Sequence, residues 1–291
     1  MPASRNQRSI VSPVAVSGFG FFGGRDVRLE FHPAGADEGI VFVRSDLGRS
    51  ARIRADVTNR VESPRRTSLE ADGVRVEMVE HVMAALAGLD IDNCEVRVNQ
   101  AEMPGVDGSS RPFVEALDRV GQVELPVPRR RIVVRDVLRV ETDDCWIEAR
   151  PSTRQGLDVE YRLDYGETGP VGRQTFRLTV TPPAFRDALA SSRTFLLKDE
   201  AEGLLALGLG QRVSPRDVLV FGPEGPMENR LRFEDECARH KMLDLVGDLA
   251  LAGCDVVASI VACRSGHRLN AELARAVRAQ EAGCVANRRS A

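Results

Sequence analysis

The sequence predicts an α+β protein built from two domains. Its length of 291 residues fits two domains at about 100–200 residues each. Each half reads as strands followed by helices rather than as a regular strand–helix alternation. A short prolyl segment, Gly121-Gln-Val-Glu-Leu-Pro-Val-Pro128, separates them and is the expected boundary. The expected domains are therefore 1–126, with an insert near 46–66, and 127–291, with an insert near 203–229.

Strand-like segments at 10–16, 26–32 and 39–43 open the chain, the first two around a turn holding Gly18, Gly20, Gly23 and Gly24. The charged, irregular stretch from Asp46 to Arg66 is the first insert. Alternation over Val74–Glu77 then gives way to Val79, Val82, Met83 and Leu86 at helical spacing, and Gly88 is the expected helix stop. A strand from Cys94 to Val98 follows, then a loop with Pro104 and Gly108, then a helix from Pro112 to Val120. Beyond the linker come strands at 131–140, 145–150 and 157–163. A helix starts near Pro183, a residue permitted in a first turn. The stretch 203–229, rich in Gly and Pro with one apolar run from Val218 to Phe221, is the second insert. A helix from Glu234 to Ala252, a buried strand from Val256 to Cys263 and a helix from Leu269 to Glu281 complete the chain. No sequence repeat relates the halves.

With 43% hydrophobic and 29% charged residues the composition is that of an ordinary globular protein. Forty Lys and Arg against 43 Asp and Glu leave a net charge of −3, which argues against a nucleic-acid binder. The short basic runs Arg129–Arg131 and Arg65–Arg66 read as solvated faces. No apolar run approaches the ~20 residues that span a bilayer. Pro13 and the glycines after it break up the start too early for a signal peptide. Cys94, Cys145, Cys237, Cys254, Cys263 and Cys284 form no Cys-x-x-Cys pair, so reduced thiols and a cytoplasmic location are expected.

Of the four histidines, His32 stands at a strand end and reads as structural or exposed. His240 and Asp244, four apart on one helix, project from one face, where they can share a metal ion or simply make a surface contact. Asp248 lies one turn further along and can orient a histidine from elsewhere. His81 follows Glu80 at a helix entry, and His267 sits in a loop between a buried strand and a helix. Two histidines and one carboxylate with an open position form a known catalytic zinc arrangement.

Together these pieces match one pattern. Leu231-Arg-Phe-Glu-Asp-Glu-Cys-Ala-Arg-His240-Lys241-Met-Leu-Asp244-Leu-Val-Gly-Asp248-Leu is the strongest block. Val79-Glu80-His81-Val-Met-Ala-Ala-Leu-Ala-Gly-Leu, Asp107-Gly-Ser-Ser-Arg-Pro-Phe113, Ser192-Arg193-Thr194-Phe195 and Ser265-Gly266-His267-Arg-Leu-Asn270 complete the set. In these blocks, in order and spacing, the chain resembles the UDP-3-O-acyl-N-acetylglucosamine deacetylases of lipid A synthesis, over nearly its whole length. The resemblance implies two similar sheet-on-helix domains with the active site between them. It implies one zinc ion per chain on His81, His240 and Asp244, a ligand set that also suits iron(II). Glu80 resembles the general base acting on water, and His267 the cationic acid that protonates the leaving amine. Asp248 resembles the partner of His267, and the Thr194 hydroxyl an oxyanion donor. Lys241 and Phe195 resemble substrate contacts, to phosphate or other polar oxygens and to the sugar.

The implied substrate is a UDP-linked acylated amino sugar, with transient contact to a membrane surface through its acyl chain. Two departures bear on the acyl passage. Gly20-Phe21-Phe22-Gly23-Gly24 stands where the family has Gly-Leu/Val-His-Thr-Gly, and Arg212 and Arg216 stand where the second insert has small or acidic residues. If Phe21 and Phe22 line the passage they narrow it; if they pack as core they leave it alone. Two alternatives stand beside the leading reading. One is the same amidase chemistry on another N-acetylated amino sugar. The other is a zinc-binding protein without catalysis, which would need neither Glu80, Thr194 nor His267.

Overall fold

The computed structural model describes residues 5–289 apart from Arg49, and of 281–289 the backbone only. The chain opens with β1 (Asn6–Ile10) and β2 (Val14–Phe19), two strands where one was expected, divided at Val11–Pro13. β3 (Asp26–Pro33) follows, its Val27, Leu29 and Phe31 alternating inward between polar neighbours, as a sheet with one buried face requires. β4 (Ile40–Arg44) and β5 (Arg52–Arg54) come next. The first insert is a small antiparallel sheet of β6 (Arg60–Val61), β7 (Ser68–Ala71) and β8 (Val74–Glu77), so it runs beyond Arg66. Helix α1 (Glu80–Gly88), strand β9 (Cys94–Val98) and helix α2 (Arg111–Val120) complete this half. The prolyl linker is itself a strand, β10 (Gln122–Pro128), paired antiparallel with β1. Pro126 and Pro128 fit there because the ladder has only one partner.

The second half repeats the plan. After β11 (Arg131–Val133) come β12 (Leu138–Thr142), β13 (Cys145–Arg150), β14 (Leu157–Asp164) and β15 (Arg173–Val180). Helix α3 (Pro182–Ala188) starts where Thr181 Oγ1 accepts the Ala184 N–H. The second insert is β16 (Phe195–Leu197), α4 (Lys198–Ala206), β17 (Leu219–Gly222) and β18 (Gly225–Pro226); it begins earlier than Gly203. Then follow α5 (Glu236–Ala250), β19 (Asp255–Cys263) and α6 (His267–Arg289).

The main sheets have the same order. One runs β2-β3-β9-β4-β5 and the other β12-β13-β19-β14-β15, and β11 runs parallel to the start of β19. Along each five-strand order, only the pairing of the last strand with the third is parallel, β9 with β4 and β19 with β14. Each half therefore uses one topology, with a helix before and after its last strand and an insert ahead of the first of those helices. That duplication confirms two similar α+β layers.

The helices of the two halves meet in the middle: α2 packs on β2, α5 on β14 and β15, α6 on β12 and β13, and α1 against α2, α3 and α5. Enclosed this way, α1 buries every residue except Ala87 and is apolar all round beyond its first turn. It ends at Gly88, but not through a left-handed glycine. Gly88 is there because a Cβ would lie 2.3 Å from the Phe185 ring of α3, and the positive φ falls on Asp90 at 58°. No helix among the described residues is long and apolar enough to cross a membrane.

Candidate active site

The first turn of α1, the middle of α5 and the start of α6 converge on one cavity of about 680 Å³. The close approach of α1 and α5 depends on Gly247, where a Cβ would lie 2.1 Å from the Glu80 carbonyl oxygen. The Ser110 hydroxyl, in the loop ahead of α2, donates to the His81 carbonyl at 2.8 Å and ties down the same turn.

Three ligand-type side chains meet here. His81 Nε2 lies 3.6 Å and His240 Nε2 3.3 Å from Asp244 Oδ1, and all three residues are at most 4% exposed. The rings of His81 and His240 stand nearly perpendicular, at 82°. His240 Nδ1 donates to the Ser192 carbonyl at 3.0 Å, which leaves its Nε2 lone pair facing the others. Asp244 Oδ1 is buried with no hydrogen-bond partner, while Oδ2 accepts from Lys241 Nζ at 2.9 Å. A buried, unpartnered carboxylate oxygen beside two imidazole nitrogens is what a divalent cation would satisfy, so the donor set fits a metal. Electrostatics agree. Burial pushes His240 down to about 3, into the neutral form that ligates. Burial opposes charging Asp244, but His240, Lys241 and His81 outweigh it and hold the carboxyl well below the usual range.

Glu80 and His267 stand next to this group. Glu80 is 3% exposed; its Oε2 accepts the Thr67 N–H at 3.0 Å, and Oε1 lies 4.0 Å from His267 Nε2. Burial raises the Glu80 pKa, with His267 and His81 opposing. His267 Nδ1 donates to Asp248 Oδ2 at 2.9 Å. Burial would lower the His267 pKa, but Asp248 by charge and hydrogen bond, and Glu80 by charge, carry it up to about 9. Asp248 is fully buried and also accepts from Asn270 Nδ2 at 2.9 Å and Thr67 Oγ1 at 2.5 Å.

Thr194 lines the cavity, its N–H bonded to the Gly108 carbonyl at 2.8 Å, and no described residue takes up its hydroxyl. Its neighbour Arg193 is buried and fastened to Glu236, which is 0% exposed, at 2.8 Å. Phe195 also lines the cavity but is mostly enclosed, its ring edge-on to Tyr165 and Phe221. Lys241 Nζ lies 5.9 Å from the Phe195 ring.

The second insert contributes an apolar part of the lining, including Leu196, Leu204, Leu205, Val218 and Val220, while charged residues such as Arg60, Glu62, Arg65, Arg264 and Arg268 also border the cavity. Phe21 and Phe22 both reach it. Phe21 is core, seated on Gly105 where a Cβ would meet its ring at 2.2 Å, whereas Phe22 is half-buried under the Arg66 guanidinium at 4.2 Å. Arg212 does not line the cavity; it covers the Phe19 ring at 4.3 Å and pairs with Asp26 at 2.5 Å. Arg216 is exposed and also outside the lining. His32 pairs with Glu30 at 3.0 Å, away from the site.

The nine residues that the resemblance assigns to metal, catalysis or substrate thus lie on the cavity or, for Asp248, directly behind it. Sequence reasoning missed Thr67 and the supports Ser110, Glu236 and Asn270.

Similarity to known proteins decides the family. The family model described as UDP-3-O-acyl N-acetylglycosamine deacetylase matches residues 7–279. The chain belongs to this family. It is 40% identical over 277 residues, 94% of its length and 96% of theirs, to proteins named UDP-3-O-acyl-N-acetylglucosamine deacetylase from Brucella melitensis biotype 2, Brucella ovis and Brucella abortus biovar 1. The family and these relatives are deacetylase hydrolases, which sets the chemical class in which the cavity is read.

Proposed function

We propose that this chain hydrolyses the acetamide of a UDP-3-O-acyl-N-acetylglucosamine to the free amine and acetate, with one zinc ion held by His81, His240 and Asp244. The observation that carries the reading is the meeting of an unsatisfied two-histidine, one-carboxylate donor set with a buried Glu80–His267 pair in a cavity with an apolar arm. The bound ion would supply Lewis-acid polarisation of the carbonyl and a more acidic water. Glu80, made more basic by burial, takes a proton from the attacking water. The Thr194 hydroxyl donates to the oxygen on which negative charge builds. His267, held cationic by Asp248, gives its proton to the nitrogen as the C–N bond breaks. Lys241 and Phe195 hold phosphate and sugar. The second insert takes the acyl chain, whose far end would keep the enzyme close to membrane surfaces. Cys94, Cys145, Cys237 and Cys263 are free thiols, which suits the cytoplasm.

The test is a deacetylation assay with UDP-3-O-acyl-N-acetylglucosamine in competition with other N-acetylated nucleotide sugars, run before and after chelation and zinc return. Chelation should abolish turnover and zinc restore it. Asp244→Ala should lose most of the roughly one metal ion per chain. Preference for a non-acylated sugar, or full metal content in Asp244→Ala, would overturn the substrate or the ligand assignment respectively.

A further inference from the structure

Glu80 and Asp248 are both buried carboxylates, and the His267 ring faces each of them: Nε2 toward Glu80 Oε1 at 4.0 Å and Nδ1 toward Asp248 Oδ2 at 2.9 Å. The cationic ring attracts both carboxylates, but charge alone does not fix the orientation of either. Asn270 and His267 both engage Asp248 Oδ2, while Thr67 Oγ1 is the described donor on Oδ1, at 2.5 Å. Without that donor the carboxylate plane can turn about its own axis. The same residue's backbone N–H holds Glu80 Oε2 at 3.0 Å. Thr67 is 1% exposed and lies just ahead of β7, in the first insert, 13 residues before Glu80 and 181 before Asp248. Its side chain is β-branched and stiff at χ1, so the angle between its two donors is narrowly set.

We propose that Thr67 is a positioning residue of the acid–base pair: its N–H and its hydroxyl fix Glu80 and Asp248 relative to each other with the His267 ring between them. This rests on the assignment of Glu80 and His267 as base and acid. It gives the first insert a part in the chemistry through a residue that does not itself line the cavity.

Thr67→Val keeps the branched shape and the N–H and removes only the hydroxyl. The expected result is a fall in kcat of about 10–100-fold, the range for outer partners of catalytic groups, with KM and metal content unchanged. Thr67→Ser returns the hydroxyl and should recover most of kcat. A second readout needs no substrate: proton NMR of the His267 Nδ1–H in the metal-free protein. That hydrogen-bonded proton should move upfield and exchange faster in Thr67→Val, but not in Thr67→Ser. Parental kcat and an unmoved resonance in the valine variant would overturn the proposal. So would an equal kcat loss in the serine variant, which would make methyl packing the cause, or a KM effect alone. If the parent deacetylates no acylated nucleotide sugar, the proposed function fails, while the resonance still decides the role of Thr67.

Discussion

The two inserts occupy equivalent places in the two halves, each lying between the main-sheet strands and the first of the two interior helices, yet they serve the cavity in opposite ways. The first is a polar clamp. Thr67 is buried and engages both Glu80 and Asp248, and Arg60 and Arg66 are held on Glu62 and Glu77. The second is a largely apolar sleeve that is loosely enclosed, with Lys198, Glu200 and Glu202 also on the cavity: α4 has no buried residue, and Leu205 and Leu207 are 44% and 76% exposed. On the proposed function, the difference follows from what each serves. In that reading, proton transfer needs donor and acceptor held close to the productive geometry, which the hydrogen bonds of Thr67 to Glu80 and Asp248 serve. An alkyl chain asks only for area removed from water, which tolerates slack.

The hardest test of that contrast is on the polar side. Glu80→Gln and His267→Ala should each lower turnover by about 10²–10⁴-fold while keeping the metal, as elemental analysis of the purified variants would read. Near-parental turnover in either would remove that residue from the chemistry. A pH–rate profile sharpens the same side. Turnover should rise with pH through a Glu80 pKa lying above the ordinary carboxylate range, because the base must be ionised. It should then fall about tenfold per pH unit above about 9, because the acid must be protonated. The linked stability has the same sign. His267 is raised from 6.5 to about 9, so its contribution is fully present below about 6.5 and is lost as pH rises through 9. A basic limb near 6.5 would contradict the Asp248 pairing. The smallest effect belongs to the sleeve. Phe22→Ala should shift preference toward longer acyl chains by at most ~0.8 kcal/mol per added methylene. An unchanged length profile in the folded variant would leave Phe22 a packing residue.

Legibility divides along similar lines. Cys94–Val98 and Cys145–Arg150 were readable because alternation in a half-buried strand is a local property. β15 is not among the predicted strands although its half-buried Phe176, Leu178 and Val180 stand at alternate positions. β10 reads as a linker for its prolines, and only the partner β1, more than a hundred residues away, makes it a strand. The repeated strand order is invisible in the letters because any such sheet needs only inward apolar residues, whatever their identity. His240 and Asp244 were legible as a pair because a helix turn brings i and i+4 together. Their union with His81, Glu80 and His267 came from resemblance, since no local rule joins three helices. Thr67 had no signal: a threonine in a charged loop acquires meaning only from a carboxylate 181 residues on.

Gly247 has a consequence for the choice of ion. With a Cβ position 2.1 Å from the Glu80 carbonyl, α5 sits against the first turn of α1 as closely as two backbones allow. The opening between His81 on one helix and His240 and Asp244 on the other is therefore a gauge cut by a missing side chain. Its width belongs to the helix spacing before it belongs to the three ligands. A single methyl at that position would act as a shim, pushing the two helices apart and with them the three metal-ligand-type side chains, while leaving each of those side chains unchanged.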